Sequence, residues 1–397
     1  MLVLELLDLH LAFGRVRFCQ NLEIKTENVT MKLMNVLKFM FGITSVQETE
    51  LDVPYHPSVS VMIPSYNEES LLASTIESIK KQSYPINQII VVDDGSTDRT
   101  GEIACELGAT VVRTEKNTGT KSRAQNYGIK YVASDVFVTI DADTILKSDA
   151  IEKLIPLLAD GKTLSACGFV VPARIKTIWE RARFAEYLLS CGLYKSAQAH
   201  WGTPLVSSGC FSAFNINIFK TLGGFPENNI AEDMALTWKA LLNGYNIKYG
   251  REAVCYPKDP ENWIQYRNQA LRWYCGFFQC ITEYKMLFLR KLRLLGFVAY
   301  YLSMSLLSMV WLGITVYVIL TGMYGFGSLI AGSFLLETAI AFAVILIYGH
   351  KRGKTREAIS GYPLLWFVNP LNWGLFLWAC IQEWGFKHKL STWEKGH

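Results

Sequence analysis

Four short β-rich runs, separated by helical patterns, follow residue 57 of this sequence. The runs cover 59–63, 89–92, 110–113 and 136–140, and helical spacing of apolar residues or a capping residue marks the segments between them. Strands and helices that alternate at this spacing favour a doubly wound α/β sheet. A nucleotide is a ligand that such sheets commonly bind.

The last of these runs ends in two carboxylates, Asp141 and Asp143. Aspartates are common at strand ends because they make turns, so the pair means little by itself. In an open α/β sheet, however, the carboxyl ends of the strands form the edge at which ligands bind. Carboxylate oxygens suit a hard cation such as Mg²⁺ or Mn²⁺, which usually shares substrate phosphates. We therefore predict a metal and diphosphate site at this edge.

The remainder of the 397 residues contains a long apolar part. No Asp, Glu, Lys or Arg occurs from Leu294 to Leu336, and basic residues flank the apolar segments. This pattern predicts two membrane spans, at about 294–320 and 327–348, that form a hairpin with both flanks in the cytoplasm. The interrupted stretch 362–381 is predicted as a re-entrant or interfacial membrane helix, with a third span as the alternative.

Four segments follow from these patterns. They are an N-terminal extension (1–56) with an amphipathic helix, a cytoplasmic α/β domain (57–260), interfacial amphipathic helices (261–292) and a membrane region with a cytoplasmic tail (293–397). One hypothesis places the true start at Met31, which would make residues 1–30 an artefact. The formal charge of +4 is mild and disfavours a nucleic-acid partner. Nine scattered cysteines without a Cys-x-x-Cys pair suit reduced thiols in the cytoplasm.

Five motifs occur in order along the chain. They are Pro-Ser-Tyr-Asn-Glu (64–68), Val-Asp-Asp-Gly-Ser (92–96), Asp-Ala-Asp (141–143), Glu-Asp (232–233) and Gln-Ala-Leu-Arg-Trp (269–273). In order and spacing they resemble the motif series of family 2 inverting glycosyltransferases, in particular the membrane-embedded branch of cellulose, chitin, hyaluronan and poly-N-acetylglucosamine synthases. The resemblance implies a GT-A, Rossmann-like α/β domain, followed by amphipathic interface helices and a small C-terminal transmembrane helical region.

The resemblance also implies a nucleotide-sugar site. Its residues are Ser65, Tyr66, Glu68, Asp94, Lys121 and Asp141. Asp94 would accept hydrogen bonds from uracil, although its motif also suits a simple turn and helix cap. Lys121 matches the lysine that contacts the diphosphate, with a solvated surface lysine as the alternative. Asp143 is implied to bind Mg²⁺ or Mn²⁺, which neutralises charge on the departing diphosphate.

The remaining motifs concern catalysis and the acceptor. Asp233 matches the family's general base, which takes the acceptor hydroxyl proton in an inverting displacement; a helix-start carboxylate without chemistry is the alternative. Gln269, Arg272 and Trp273 share one helical face, where Arg272 would clamp the diphosphate and Trp273 would stack on the acceptor sugar. Anchoring at lipid headgroups is the other interpretation of that face. The acceptor-binding residues implied by the resemblance are Gly209, Cys210, Glu232 and Trp273.

These features predict an enzyme of the cell membrane, multi-pass and with its catalytic domain facing the cytoplasm, that elongates a β-linked polysaccharide from a UDP-sugar. A non-processive transferase that acts on polyprenyl phosphate or a glycolipid is one alternative, and a silent nucleotide-sugar-binding subunit is another. The expected partners are the UDP-sugar, a carbohydrate or lipid-linked acceptor and the lipid bilayer. Because the predicted spans are few for a polymer exporter, a homo-oligomer or partner subunit would complete an export channel. The tail 393–397 resembles a segment of related enzymes and is predicted to fray or to fold back as a gate.

Overall fold

A computed structural model of the chain describes residues 55–285, 292–322 and 324–386. The described residues form two compact units, one within Leu51–Leu294 and Phe334–His397 and the other within Leu295–Ser333. The predicted amphipathic helix at 32–43 and the predicted gate at 393–397 lie outside the described residues.

The first unit is built on a sheet of eight strands among the described residues. The strands are β1 (Val59–Ser65), β2 (Gln88–Asp93), β3 (Thr110–Arg113), β4 (Val136–Ile140), β5 (Thr144–Leu146), β6 (Thr163–Val170), β7 (Phe211–Asn215) and β8 (Asn246–Pro257). Their order across the sheet is β3-β2-β1-β4-β7-β6-β8-β5. The four predicted strands are confirmed and lie parallel. The sequence also predicts an edge strand at 247–249. These residues lie in β8 and pair with β6, whereas β5 pairs with β8 only at 255–257, so the strand and its edge position are confirmed.

The helices of the described residues follow in chain order. They are α1 (Leu72–Lys80), α2 (Thr100–Glu106), α3 (Lys121–Gly128), α4 (Ala150–Leu154), α5 (Ile178–Leu189), α6 (Lys195–His200), α7 (Ile216–Thr221), α8 (Glu232–Leu242), α9 (Trp263–Glu283), α10 (Leu292–Thr321), α11 (Tyr324–Lys351), α12 (Thr355–Gly361) and α13 (Leu364–Cys380). A π-helical turn, Ser190–Tyr194, joins α5 to α6. The length and pattern of the sequence predict one helix from Trp179 to Ala197, and it is confirmed as one continuous segment.

The register of the central strands sets the position of the predicted site. Strand β4 is fully buried and pairs antiparallel with β7, so that Ile140 lies beside Phe211. The loop before β7 therefore meets the end of β4, and the Asp141 amide donates to the Cys210 carbonyl at 3.3 Å. This antiparallel return brings residues 207–210 to the edge that carries the two aspartates.

The start of α2 corrects one sequence expectation. The residue types of Ser96 and Thr97 predict that one of them caps this helix. The helix instead begins at Thr100, and the Ser96 and Thr97 side chains contact Asn67, whose backbone has a φ of 52°. The two loops that follow β1 and β2 are thereby joined at the sheet edge.

Helix α13 packs on α9 through aromatic and polar contacts. The ring of Phe376 lies 5.4 Å from Tyr274 and 4.8 Å from Phe278. At its centre, the Asn372 amide donates to Glu186 of α5 at 2.8 Å. Asn372, which interrupts the apolar pattern of 362–381, is thus used in packing between helices.

Two helical segments are long and apolar enough to cross a membrane, judged by length and composition alone, in the part of the chain that the structure describes. They are Gly332–Lys351 and Leu364–Gly385. Within the second unit, Gly327 lies against Val318, and a Cβ at Gly327 would meet Val318 Cγ1 at 2.5 Å. Helices α10 and α11 cover the two spans predicted at 294–320 and 327–348, and they approach each other closely at this point.

Candidate functional site

Lys121, the first residue of α3, lies at the centre of the candidate site. Its ammonium group forms an ion pair with Asp141 and a second one, at 3.6 Å, with Glu232. It also donates to the Gly209 carbonyl at 3.1 Å. With a side chain that is only 11% exposed, Lys121 is not the solvated surface lysine that the sequence left open. One cation therefore connects the end of β4, the start of α8 and the loop before β7.

Asp233 lies in the first turn of α8, beside this cation. Its Oδ2 accepts the Gly209 amide at 2.8 Å, and its Oδ1 accepts the Met234 amide at 2.7 Å. A Cβ built on Gly209 would come within 3.0 Å of Asp233 Oδ2 and 3.3 Å of Lys121 Nζ. The loop can approach both groups this closely because residue 209 has no side chain.

Burial and charge together set the electrostatics of this cluster. Burial raises the pKa of Glu232 to about 6, with Lys121 opposing the shift and Asp233 adding to it. Burial alone would lower the pKa of Lys121, but Asp141 and Glu232 outweigh it and hold that pKa above its usual value. The ammonium group therefore stays charged across the physiological pH range.

The residues predicted to bind the nucleotide lie on the adjoining loops. Asp94 is buried and accepts hydrogen bonds from the Thr118 amide at 3.0 Å, the Thr118 hydroxyl at 2.9 Å and the Thr114 hydroxyl at 3.0 Å. Its carboxylate thus organises the loop that leads to Lys121. Ser65 is buried at the end of β1, Tyr66 follows half-buried, and Glu68 is buried with its amide bonded to the Thr100 hydroxyl at 2.7 Å.

Asp143 lies within the turn that follows β4. The Thr144 amide closes this turn on the Asp141 carbonyl at 3.0 Å, and the Asp143 carbonyl accepts the Lys258 amide at 3.2 Å. No group of three or more His, Cys, Asp or Glu residues that could hold a metal occurs among the described residues. The oxygen donors of Asp141 and Asp143 fit a hard cation that takes further ligands from a diphosphate, rather than one enclosed by protein.

The face that carries Gln269 and Trp273 surrounds a residue that the sequence did not indicate, Arg183 of α5. The buried guanidinium donates to Gln269 Oε1 at 2.9 Å and lies 4.8 Å from the centre of the Trp273 ring. On its other side it lies 4.2 Å from the centre of the Tyr266 ring. Arg183 therefore fixes two of the three predicted residues of this face, while Arg272 is half-buried nearby on α9.

Two further buried charges were missed by sequence reasoning. Asp259 accepts the Tyr187 hydroxyl at 2.8 Å, and burial raises its pKa to about 7. Lys195, the first residue after the π-helical turn, donates to Ser208 at 2.5 Å, next to the loop that contacts Asp233. A π-helical turn inside a longer helix is often found at functional sites, but no local pattern in the sequence marks it.

Comparison with known proteins agrees with this fold. Residues 60–223 match the family model described as "Glycosyl transferase family 2". The chain is 32% identical over 223 residues to a poly-beta-1,6-N-acetyl-D-glucosamine synthase of Staphylococcus epidermidis, covering 55% of this chain and 54% of that protein. A synthase of the same description from Staphylococcus aureus (strain COL) is 29% identical over 235 residues, covering 58% of this chain and 57% of that protein. The chain thus spans about half the length of the curated relatives it matches.

A solved structure extends the likeness in fold beyond the family domain. The mannosyltransferase PcManGT from Pyrobaculum calidifontis, determined in complex with GDP-Man and Mn²⁺, superposes with a TM-score of 0.56 at 22% identity, covering 84% of this chain and 93% of that one. The predicted GT-A fold is therefore confirmed. Residues 60–223 form a domain of glycosyl transferase family 2.

Proposed function

We propose that this chain is a membrane-bound inverting glycosyltransferase that transfers a sugar from a UDP-sugar to the growing end of a β-linked polysaccharide. The observation that carries the proposal is the contact of Asp233 with the Gly209 amide beside the Lys121–Asp141 ion pair. A base, a cation and the two strand-end carboxylates then share one edge of the sheet. The description of the relatives as poly-beta-1,6-N-acetyl-D-glucosamine synthases makes UDP-N-acetylglucosamine the first donor to test.

On the acceptor side, Asp233 would take the proton from the attacking hydroxyl. The Gly209 and Met234 amides each donate to one of its oxygens, so its orientation is fixed before an acceptor arrives. A direct displacement at the anomeric carbon by the acceptor hydroxyl needs one base and no nucleophile from the protein. It inverts the configuration at that carbon. Glu232 and the half-buried Cys210 lie next in sequence to Asp233 and Gly209, and we place them beside the acceptor.

On the donor side, Asp141 would face the nucleotide-sugar, with Lys121 supplying positive charge close to the diphosphate. Ser65, Tyr66, Glu68 and Asp94 would line the nucleotide pocket. Asp143, with Asp141, would hold Mg²⁺ or Mn²⁺, and a bound cation of this kind neutralises charge on the departing diphosphate. Arg272 would add a second positive charge on the same side.

Beyond the family domain, the proposal places helices α10 and α11 across the bilayer and α9 at its cytoplasmic interface. Trp273, held by Arg183 and exposed over 37% of its surface, would stack on the acceptor sugar. Export of a polymer would require a second copy of the chain or a partner subunit. Transfer to a lipid acceptor would not.

The experiment is a panel of radiolabelled UDP-sugars supplied to membranes that contain the protein, with and without Mg²⁺ or Mn²⁺, followed by sizing of the product. We expect metal-dependent UDP release and a ladder of long products. A single-sugar lipid product would replace the polysaccharide assignment, and no UDP release by the purified protein would support a silent binding subunit.

Two substitutions test the residue roles in the same assay. Asp143→Asn and Asp233→Asn should each abolish sugar transfer while expression and membrane insertion stay normal. Asp149→Asn is the matched control. Asp149 follows β5 in the chain, pairs with Lys147 and Lys153, and is given no role in the reaction. Full activity in either of the first two variants would remove its assigned role.

A further inference from the structure

Gln279 of α9 contacts the segment that directly precedes the proposed base. Its Oε1 accepts the Ile230 amide at 3.1 Å, and its Nε2 donates to Glu383 Oε1 at 2.8 Å. Gln279 is buried, with 5% of its surface exposed. Both ends of one buried amide are therefore used, one on the segment before α8 and one on the turn Ile381–Gly385 that continues α13.

The same face of α9 approaches this segment at a second point. A Cβ built on Gly276 would meet the Ala231 Cβ at 2.3 Å and the Ala231 nitrogen at 3.0 Å. Such close approach of helix and backbone is open only to glycine at position 276. One helical turn further on, Cys280 Sγ accepts a hydrogen bond from the side-chain amide of Asn229 at 3.3 Å.

These contacts fix the start of helix α8. The Asn229 side-chain oxygen also accepts the Ala231 backbone amide at 2.9 Å. The Asn229 side chain therefore links the backbone just before Glu232 to α9. Asp233 follows within the first turn, and its carboxylate is held separately by Gly209. The base is thus located from two directions, by the loop at its carboxylate and by α9 at its backbone.

The far side of the contact belongs to the C-terminal apolar helix. Next to Glu383, the Trp384 indole donates to Thr282 at 2.9 Å, and its ring lies 4.9 Å from Phe278. The turn after α13 is therefore docked on α9 at the position of Gln279. A displacement of this turn would reach Ile230 through a single side chain.

We propose that Gln279 is a positioning residue for Asp233, and that through Glu383 it couples the C-terminal apolar helix to the catalytic base. The inference rests on the proposed role of Asp233 as the base. It assigns to the helix at 364–385 a part in transfer itself, in addition to any part in the membrane.

The contact allows an exchange of partners that restores it. Gln279→Glu keeps an oxygen for the Ile230 amide but places two carboxylates opposite each other, which is unfavourable in a buried site. Adding Glu383→Gln lets the new amide donate to the new carboxylate. The double variant therefore recovers both hydrogen bonds, and only the bond between residues 279 and 383 changes direction. Gln279→Leu removes both at nearly constant volume.

The experiment measures kcat of UDP release and KM for the UDP-sugar in full-length protein in detergent or membranes. We expect Gln279→Leu and Gln279→Glu to lower kcat by about tenfold to a hundredfold, the cost of a base displaced by about 1 Å, with KM changed less than twofold. The double variant should recover to within about threefold of wild type. Gln265→Leu on the same helix is the matched control, since the Gln265 side chain accepts the Glu261 amide, outside the segment before α8, and it should stay within twofold.

The outcomes separate this inference from the proposed function. In one outcome the wild type is active, Asp233→Asn is inactive and both Gln279 variants keep the kcat of the wild type. The positioning role of Gln279 is then wrong, while the role of Asp233 as the base is retained. A double variant no better than Gln279→Glu would likewise overturn the coupling through Glu383. If Asp233→Asn stays active, the proposed base fails instead. Thermal unfolding of each variant checks folding, and the recovery in the double variant tests the contact even where Gln279→Leu is unstable.

Discussion

Arg183→Met is the substitution that most directly tests how the acceptor face is held together. The Arg183 side chain is 5% exposed and donates to Glu186 at 2.8 Å and to Gln269 at 2.9 Å. Its guanidinium also lies between the rings of Tyr266 and Trp273. Methionine keeps much of the volume and loses the charge and every hydrogen bond.

The expected cost follows from the groups that remain. Removal of one partner from a buried ion pair costs about 3–5 kcal/mol because a carboxylate is left without its counter-charge. Glu186 would keep the Tyr266 hydroxyl at 2.9 Å and the Asn372 amide at 2.8 Å, and Asp259 would keep the Tyr187 hydroxyl at 2.8 Å. These neutral donors place the loss at the lower end, about 3 kcal/mol, or about 5 °C in Tm, since the unit is larger than 250 residues.

Thermal unfolding of the purified protein in detergent measures the effect. Arg99→Met is the matched control, because Arg99 also contacts two carboxylates, Glu102 at 3.0 Å and Glu106 at 3.3 Å, but is 62% exposed and has exposed partners. Ion pairs exposed at both partners contribute little to stability, so its Tm should fall by no more than about 2 °C. Equal losses of Tm in the two variants would refute the argument that burial of Arg183 organises this face.

Three further substitutions test the cluster around the base. Gly209→Ala should lower kcat by about tenfold or more, since its Cβ would lie 3.0 Å from Asp233 Oδ2, whereas Gly374→Ala, with open space around it, should leave UDP release unchanged. Lys121→Met should abolish UDP release, because it removes the cation between the carboxylates, and retained activity would show that this charge is dispensable. Glu232→Gln tests pH dependence through Tm. With a folded pKa of about 6 against an ordinary 4.5, the folded state binds the additional proton between these values. The contribution of Glu232 is therefore greatest below pH 4.5 and declines by about 2 kcal/mol as the pH rises through 6. Subtracting the Tm profile of Glu232→Gln from that of wild type should reveal this decline, and identical profiles would contradict it.

Local pattern was sufficient to predict the first half of the sheet. Strands β1 to β4 are short apolar runs with clear turn residues after them, and parallel neighbours with intervening helices follow from that alternation. Strands β6 and β7 were not predicted as strands, because the antiparallel return of β7 onto β4 depends on pairing between residues far apart in the chain. The close contacts of Gly209 follow from that pairing, and the sequence could indicate the loop only through resemblance.

The residues that organise the site from behind were harder to predict for a physical reason. Arg183 lies in a helix that also carries the charged residues Glu180, Arg181 and Glu186. Nothing in the local sequence therefore distinguishes it from a solvated arginine. Its burial arises only when α5, α9 and α13 meet. Gln279 is similar, since an amide on an amphipathic helix has no signature until Ile230 and Glu383 approach it from opposite sides. Polar residues buried by tertiary contact are therefore the class that sequence patterns miss in this chain.

The two strand-end aspartates are separated by local geometry as well as by their proposed roles. They are two residues apart, which would place them on the same side of a continued strand. Strand β4 ends at Ile140, and the turn closed by the Thr144 amide on the Asp141 carbonyl follows it, so that Asp141 pairs with Lys121 while the Asp143 carbonyl accepts the Lys258 amide. Lys121 also contacts Glu232, so one cation links Asp141 to the start of the base helix. That link supports the proposed donor-side role of Asp141 next to the base.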